Sequence, residues 1–197
     1  TSYALLRIGK CYERLGNTAL AIKYYNQTVH EDPLLDKGWI AITDFYVREK
    51  NYQKALFYVN KALAIDNQNQ MYWKRYATIN KQMNFFEEAE FGYRKAVEFG
   101  DYQLDTWLFW VDILQFLGEF DSAIQTLLQA TEYFPEENEI EYRLAGLYFM
   151  IQDKTKAKFH LSNGLRLNFD NYILIEDLFP MIWEEKTVQN YIAKHKK

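Results

Sequence analysis

The stretch QMYWKRYATINKQMNFFEEAEFGYRKAVEFGDYQ, residues 70–103, decides the fold. Its first half sets Trp73, Tyr76, Ala77 and Asn80 at i, i+3, i+4 and i+7, which is one face of an α-helix. Met83-Asn84 then interrupts the run, and asparagine tolerates the left-handed backbone that ends helices. The second half carries another stripe, Ala89, Tyr93 and Ala96, whose small residues let two helices approach closely. The stretch reads as helix, turn, helix.

The same pattern recurs on both sides, on a step of 34 residues. Ala21, Ala55, Ala89, Ala123 and Ala157 form one column. Thr28, Ala62, Ala96, Ala130 and Gly164 form a second, made only of small residues. A third column is large until its last member: Leu5, Trp39, Trp73, Trp107, then Glu141. With Ser2, Asp36, Gln70, Leu104 and Asn138 as first positions, the second unit places Trp39, Ile42, Thr43 and Tyr46 on its first stripe. The fourth places Trp107, Trp110, Val111 and Leu114 there. Breaks follow at Leu15-Gly16-Asn17, Lys50-Asn51 and Leu117-Gly118, and Pro33 and Pro135 close the first and fourth units. A fixed period of this length means stacked copies of one supersecondary unit, none able to bury its apolar face alone.

These columns follow the pattern of a large residue at position 4, apolar at 7, small at 8, aromatic at 11, Ala at 20, aromatic at 24, Ala at 27 and Pro at 32. In this the chain resembles the tetratricopeptide repeat family, from Ser2 to about Phe169. The resemblance implies an all-α fold, a right-handed α-α superhelix of five helix-turn-helix repeats at about 2–35, 36–69, 70–103, 104–137 and 138–170. Departures are local: Glu141 for the large residue, Asn80 for the aromatic, a bulkier Val111 at position 8, and Phe169 where proline would close the fifth unit. The step ends there. Tyr191 falls in the next alanine column and Pro180 inside the next first helix. Residues 171–197 are expected to form capping helices, Asn171–Phe179 and about Thr187–Lys196, with Ile175, Leu178, Ile182, Trp183 and Ile192 as apolar contacts.

The formal net charge of −4 does not suggest nucleic-acid binding, which favours a strong positive excess. One cysteine, Cys11, cannot form an internal disulfide, and it is expected to be a semi-buried structural thiol. No apolar run approaches the roughly 20 residues of a membrane helix. A cytoplasmic location is expected, for a chain whose start at Thr1 reads as a fragment with an upstream region missing. There is no phosphate loop, H-E-x-x-H or C-x-x-C, and His30, His160 and His195 lack partners at ligand spacing. No catalytic residue, metal site or cofactor is therefore expected. Glu87, Glu88 and Glu90 read as a solvated face.

On each first helix, positions 2, 5, 6, 9, 12 and 13 point away from the core stripe. In the tetratricopeptide family this face lines a concave, ligand-holding groove. In units one to three it carries Arg7, Lys10, Arg14, Lys37, Arg48, Lys74, Arg75 and Lys81, opposed by Glu13 and Asp44. That is +6 within a chain of net −4. In units four and five the face carries Phe109, Phe116, Tyr142, Phe149 and Met150 with Asp105, Asp112, Glu139 and Arg143. The leading expectation is a non-catalytic scaffold holding a peptide or helix of a partner protein. That partner would be acidic where it meets the cations and apolar where it meets the rings. A docking arm of a larger enzyme, or an RNA-binding helical array using the cations and aromatics, are the alternatives. A chaperone-tail clamp is rejected. The clamp of that family needs Lys, Asn, Asn, Lys and Arg where this chain has Lys74, Thr78, Phe109, Glu139 and Arg143, so two of five agree.

Overall fold

The computed structural model describes residues 1–196. Ten helices run in antiparallel pairs: α1 (Ser2–Arg14) with α2 (Thr18–Glu31), α3 (Asp36–Arg48) with α4 (Tyr52–Ile65), and α5 (Gln70–Gln82) with α6 (Phe86–Glu98). The pairs continue with α7 (Leu104–Phe116) and α8 (Phe120–Tyr133), then α9 (Asn138–Met150) and α10 (Lys154–Leu167). A 3-10 turn (Phe169–Tyr172) follows, then α11 (Ile173–Leu178), α12 (Pro180–Trp183) and α13 (Lys186–Lys194). The described residues contain no strand.

The period of the sequence reappears in the backbone. Gly16, Lys50, Asn84, Gly118 and Gln152, one per pair, all have φ between 55° and 78°. At each, two backbone bonds close the first helix: Gly16 N–H donates to Glu13 O and Asn17 N–H to Tyr12 O, and the other four turns repeat this. Three second helices are then capped by a side chain, Asn17 accepting from Leu20 N–H, Asn51 from Lys54 N–H and Asp153 from Lys156 N–H.

The alanine column is fully buried in all five pairs, because this is where the two helices of a pair touch. Trp39 and Trp73 each donate the indole N–H to a backbone carbonyl of the preceding turn, Pro33 and Asn67. Glu141, in the same column, accepts from Asn163 and pairs with His160, whose ring stacks on Tyr148.

The chain divides into two compact units, residues 1–101 with α1 to α6, and residues 102 onward with α7 to α13. In the second, the C-terminal segment packs on α9 and α10. Phe179 is 3 % exposed and its ring lies directly on Gly146 of α9, where any Cβ would overlap it. Ile175, Ile182, Val188 and Ile192 are buried with it, whereas Leu178 and Trp183 are half-buried. Pro180 does not kink a long helix; it is the first residue of α12, where its missing N–H costs no hydrogen bond.

Candidate functional site

The outward positions of α1, α3 and α5 form one face of the first unit. Arg7, Lys10, Arg14 and Lys37 are exposed and make no side-chain hydrogen bond or ion pair among the described residues. Arg48 is also exposed and is paired with Glu13 of the preceding helix pair. Arg75, expected as a cation of the groove, is held by one of the opposing acids. Its Nε donates to Asp44 Oδ1 at 2.7 Å and a terminal nitrogen to Oδ2 at 3.0 Å, a two-pronged bond that keeps the guanidinium charged. Lys74 and Lys81 are half-buried, and each is engaged by a neighbour.

Between α3 and α5 this face opens into a cavity of about 260 Å³, lined by Asp44, Val47, Met71, Lys74, Arg75, Thr78 and Ile79. Charge sits at its rim and aliphatic side chains form its wall. The apolar lining was missed in the sequence. Val47, Met71 and Thr78 occupy outward positions 12, 2 and 9, but a charge-based reading passes over them.

In the second unit the face is arranged otherwise. Phe109 and Phe116 are 36 % and 66 % exposed. Tyr142, Arg143 and Phe149, expected to face outward, are buried, and this corrects the sequence reading. The Tyr142 ring lies against Gly164 of α10 and its hydroxyl donates to the Asn168 carbonyl at 2.8 Å; Phe149 borders Thr187, Val188 and Tyr191 of the C-terminal segment, and Gln115 of α7 donates to the Leu178 carbonyl. Burial pushes the Tyr142 hydroxyl well above the usual tyrosine range. Arg143 binds Asp112 of the preceding pair and Glu139 of its own helix. Arg75–Asp44 and Arg143–Asp112 thus repeat one device, position 6 of a first helix holding position 9 of the first helix in the preceding pair.

Cys11, expected half-buried, is exposed. Among the described residues no group of His, Cys, Asp and Glu side chains could hold a metal ion, and no helix is long and apolar enough to cross a membrane.

With this geometry in place, three family models described as tetratricopeptide repeat match residues 3–34, 37–69 and 110–157. The chain is a tetratricopeptide repeat protein. Solved structures of the same architecture include YrrB, described as a TPR protein with an unusual peptide-binding site. It is 16% identical with a TM-score of 0.74, over 90% of this chain and 91% of that one. The crystal structure of MamA protein is 14% identical with a TM-score of 0.73, over 90% and 94%. MamA 41-end from Desulfovibrio magneticus RS-1 is 14% identical with a TM-score of 0.68, over 84% and 94%. At these identities the likeness concerns the fold. Comparison with curated proteins finds no match.

Proposed function

We propose that this tetratricopeptide repeat protein is a non-catalytic scaffold whose first unit holds an extended, acidic segment of a partner protein across α1, α3 and α5. The observation that carries the reading is the cavity between α3 and α5. A side chain entering it meets Val47, Met71 and Ile79, while the segment around it passes Lys74. That combination selects an apolar residue flanked by carboxylates. Arg7, Lys10, Arg14 and Lys37 extend the positive field along the same face. Arg75 acts as a frame: by gripping Asp44 it holds α3 and α5 in register and gives the cavity its rim. On the second unit, Phe109 and Phe116 supply a separate apolar contact, while Asp112, Tyr142, Arg143 and Phe149 serve structure. YrrB, with its peptide-binding site, supports the reading by likeness of fold. A reducing, cytoplasmic setting suits a chain with one exposed cysteine.

The test is fluorescence anisotropy with labelled peptides of Asp and Glu that carry one Leu or Phe, titrated with the full chain across a salt series. Affinity should fall with added salt. Met71→Ala should weaken binding by about 1–2 kcal/mol at every salt concentration, as loss of a buried anchor contact does. Lys74→Glu should weaken it most at low salt. Equal affinity for peptides with and without the apolar residue, or equal affinity for the corresponding lysine peptides, would overturn the reading.

A further inference from the structure

The face that is open between α3 and α5 is occupied between α7 and α9. Two steps of the repeat carry Asp44 and Arg75, the frame of the cavity, onto Asp112 and Arg143, which form the same ion pair. The same two steps carry Val47 and Thr78 of the cavity lining onto Gln115 and Gly146. Both of those touch the chain's own segment Ile175-Glu176-Asp177-Leu178-Phe179. Gln115 donates to the Leu178 carbonyl at 3.3 Å, and the Phe179 ring lies on Gly146. Phe179 is buried, whereas Glu176 and Asp177 are exposed. The second unit thus holds, on two successive first helices, a segment whose apolar anchor follows a pair of carboxylates.

The two sites differ at the point where the anchor lands. The ring reaches Gly146 because that position has no Cβ, and one placed there would overlap it. Thr78 carries a Cβ, a methyl and a hydroxyl at the equivalent position. Its hydroxyl donates to the Lys74 carbonyl at 2.9 Å and lies 3.3 Å from the Tyr93 hydroxyl, so the side chain is fixed about χ1 and its methyl cannot swing aside. The rims differ as well. Lys74 stands where the second unit has Tyr142, and Met71 where it has Glu139, so the first unit gains a cation and loses an acid. The geometry points to Thr78 as the residue that sets the partner's anchor. The α3–α5 cavity takes a segment patterned like residues 175–179, carboxylates first, but with a branched aliphatic residue in place of Phe179. A leucine fits against Val47, Met71 and Ile79 without reaching Thr78, whereas a ring overpacks the site. The carboxylates, turned to water in the second unit, meet Lys74 here. The inference rests on the α3–α5 cavity being the partner's site and adds which residue enters it and what selects that residue.

The experiment titrates the full chain into two end-blocked, fluorescein-labelled peptides and follows anisotropy. One is the sequence of residues 175–180, Ile-Glu-Asp-Leu-Phe-Pro, and the other its Phe179→Leu counterpart. The leucine peptide should bind at least about fivefold more tightly, the lower end of what overpacking costs. Thr78→Gly gives the first unit the surface of Gly146 and should tighten the phenylalanine peptide at least about fivefold, with little change for leucine. Thr78→Ala keeps a Cβ and should keep the leucine preference. Peptides with Glu176→Lys and Asp177→Lys should bind more weakly in every case. The inference is overturned if the natural chain binds both peptides equally or prefers phenylalanine, and this comparison stands even if Thr78→Gly fails to fold. It is also overturned if Thr78→Gly folds and leaves the preference unchanged, or if Thr78→Ala erases the preference as glycine does. A phenylalanine preference insensitive to Thr78 marks a peptide that displaces Phe179 on the second unit, and it counts against the inference. Binding without a leucine preference overturns the inference and leaves the cavity as the partner's site. Binding of neither peptide up to about 1 mM, the range of the weakest specific complexes, overturns both.

Discussion

Replacing Phe179 with alanine tests how the C-terminal segment is held. The ring is 3 % exposed and rests on Gly146, the one position of α9 with no side chain to exclude it. Losing a fully buried phenylalanine forfeits about 2–3 kcal/mol of transfer free energy. The cavity left behind raises the usual cost to about 3–5 kcal/mol. The lower figure applies here because α11 and α12 are short and can detach without unfolding α9. A loss of about 3 kcal/mol is roughly a hundredfold rise in the population of the detached form. The assay is amide hydrogen exchange of the segment 173–183, followed by mass spectrometry. Exchange there should accelerate about a hundredfold, and the segment 2–31 should be unchanged, since distant sites respond independently. Met181, on the same segment but 74 % exposed, is the control, and Met181→Ala should change exchange by less than about threefold. If Phe179→Ala accelerates exchange by less than about fivefold, the ring is not what fastens the segment.

Two further outcomes follow from the backbone and the buried tyrosines. Gln152 holds φ of 66° at a turn where Gly16 and Gly118 serve the equivalent pairs, so Gln152→Gly should stabilise by about 1 kcal/mol and raise the thermal midpoint by about 2–4 °C; Gly118→Ala should lower it. Tyr25, Tyr72 and Tyr142 are held above the ordinary tyrosine value near 10, first by burial, and for Tyr25 and Tyr72 also by Glu13 and Asp36. The folded chain therefore keeps these protons when the unfolded chain releases them. The stabilisation is complete below about pH 10 and is lost as the pH rises above it, so thermal midpoints should fall steeply between about pH 10 and 11.5; a flat profile would contradict the burial of these hydroxyls.

The repeat was legible because each column answers to one packing requirement. Ala21 and its four counterparts sit where helices touch, and no larger side chain fits. The turns were legible at Gly16, Asn84 and Gly118, where the residue itself favours the left-handed backbone, and not at Gln152, a residue type without that preference. On the candidate site, the outward positions of the cations were readable from the helical period. Glu13 and Asp44 were readable as the opposing acids, but which cation each one holds was not, because a bond such as Arg75 to Asp44 depends on how successive pairs stack. Arg143–Asp112 shows the same spacing, and two such pairs together are the signal that could have revealed it. The reversal at Tyr142 and Phe149 has two sources: the Tyr142 ring lies against Gly164 of α10, within its own pair, and Phe149 lies beside the C-terminal segment. Beyond Phe169 the period breaks, and the broken segment turns Phe179 onto Gly146 across the face that the period alone leaves open. Cys11 misled for the complementary reason: its column is buried at Ile79, Ile113 and Leu147 and half-buried at Phe45, whereas Cys11 is exposed.

Methionine methyl NMR of the full chain tests the central claim most directly, since the four methionines sample different surfaces. Met71 lines the α3–α5 cavity, Met83 closes α5, Met150 ends α9, and Met181 lies on α12. Titrating an acidic peptide with one Leu or Phe should move the Met71 methyl resonance along a saturating curve that weakens with salt, and leave Met150 and Met181 in place. A Met71 resonance that stays fixed while the peptide binds, with shifts at Met150 or Met181 instead, would contradict the assignment of the partner to the first unit.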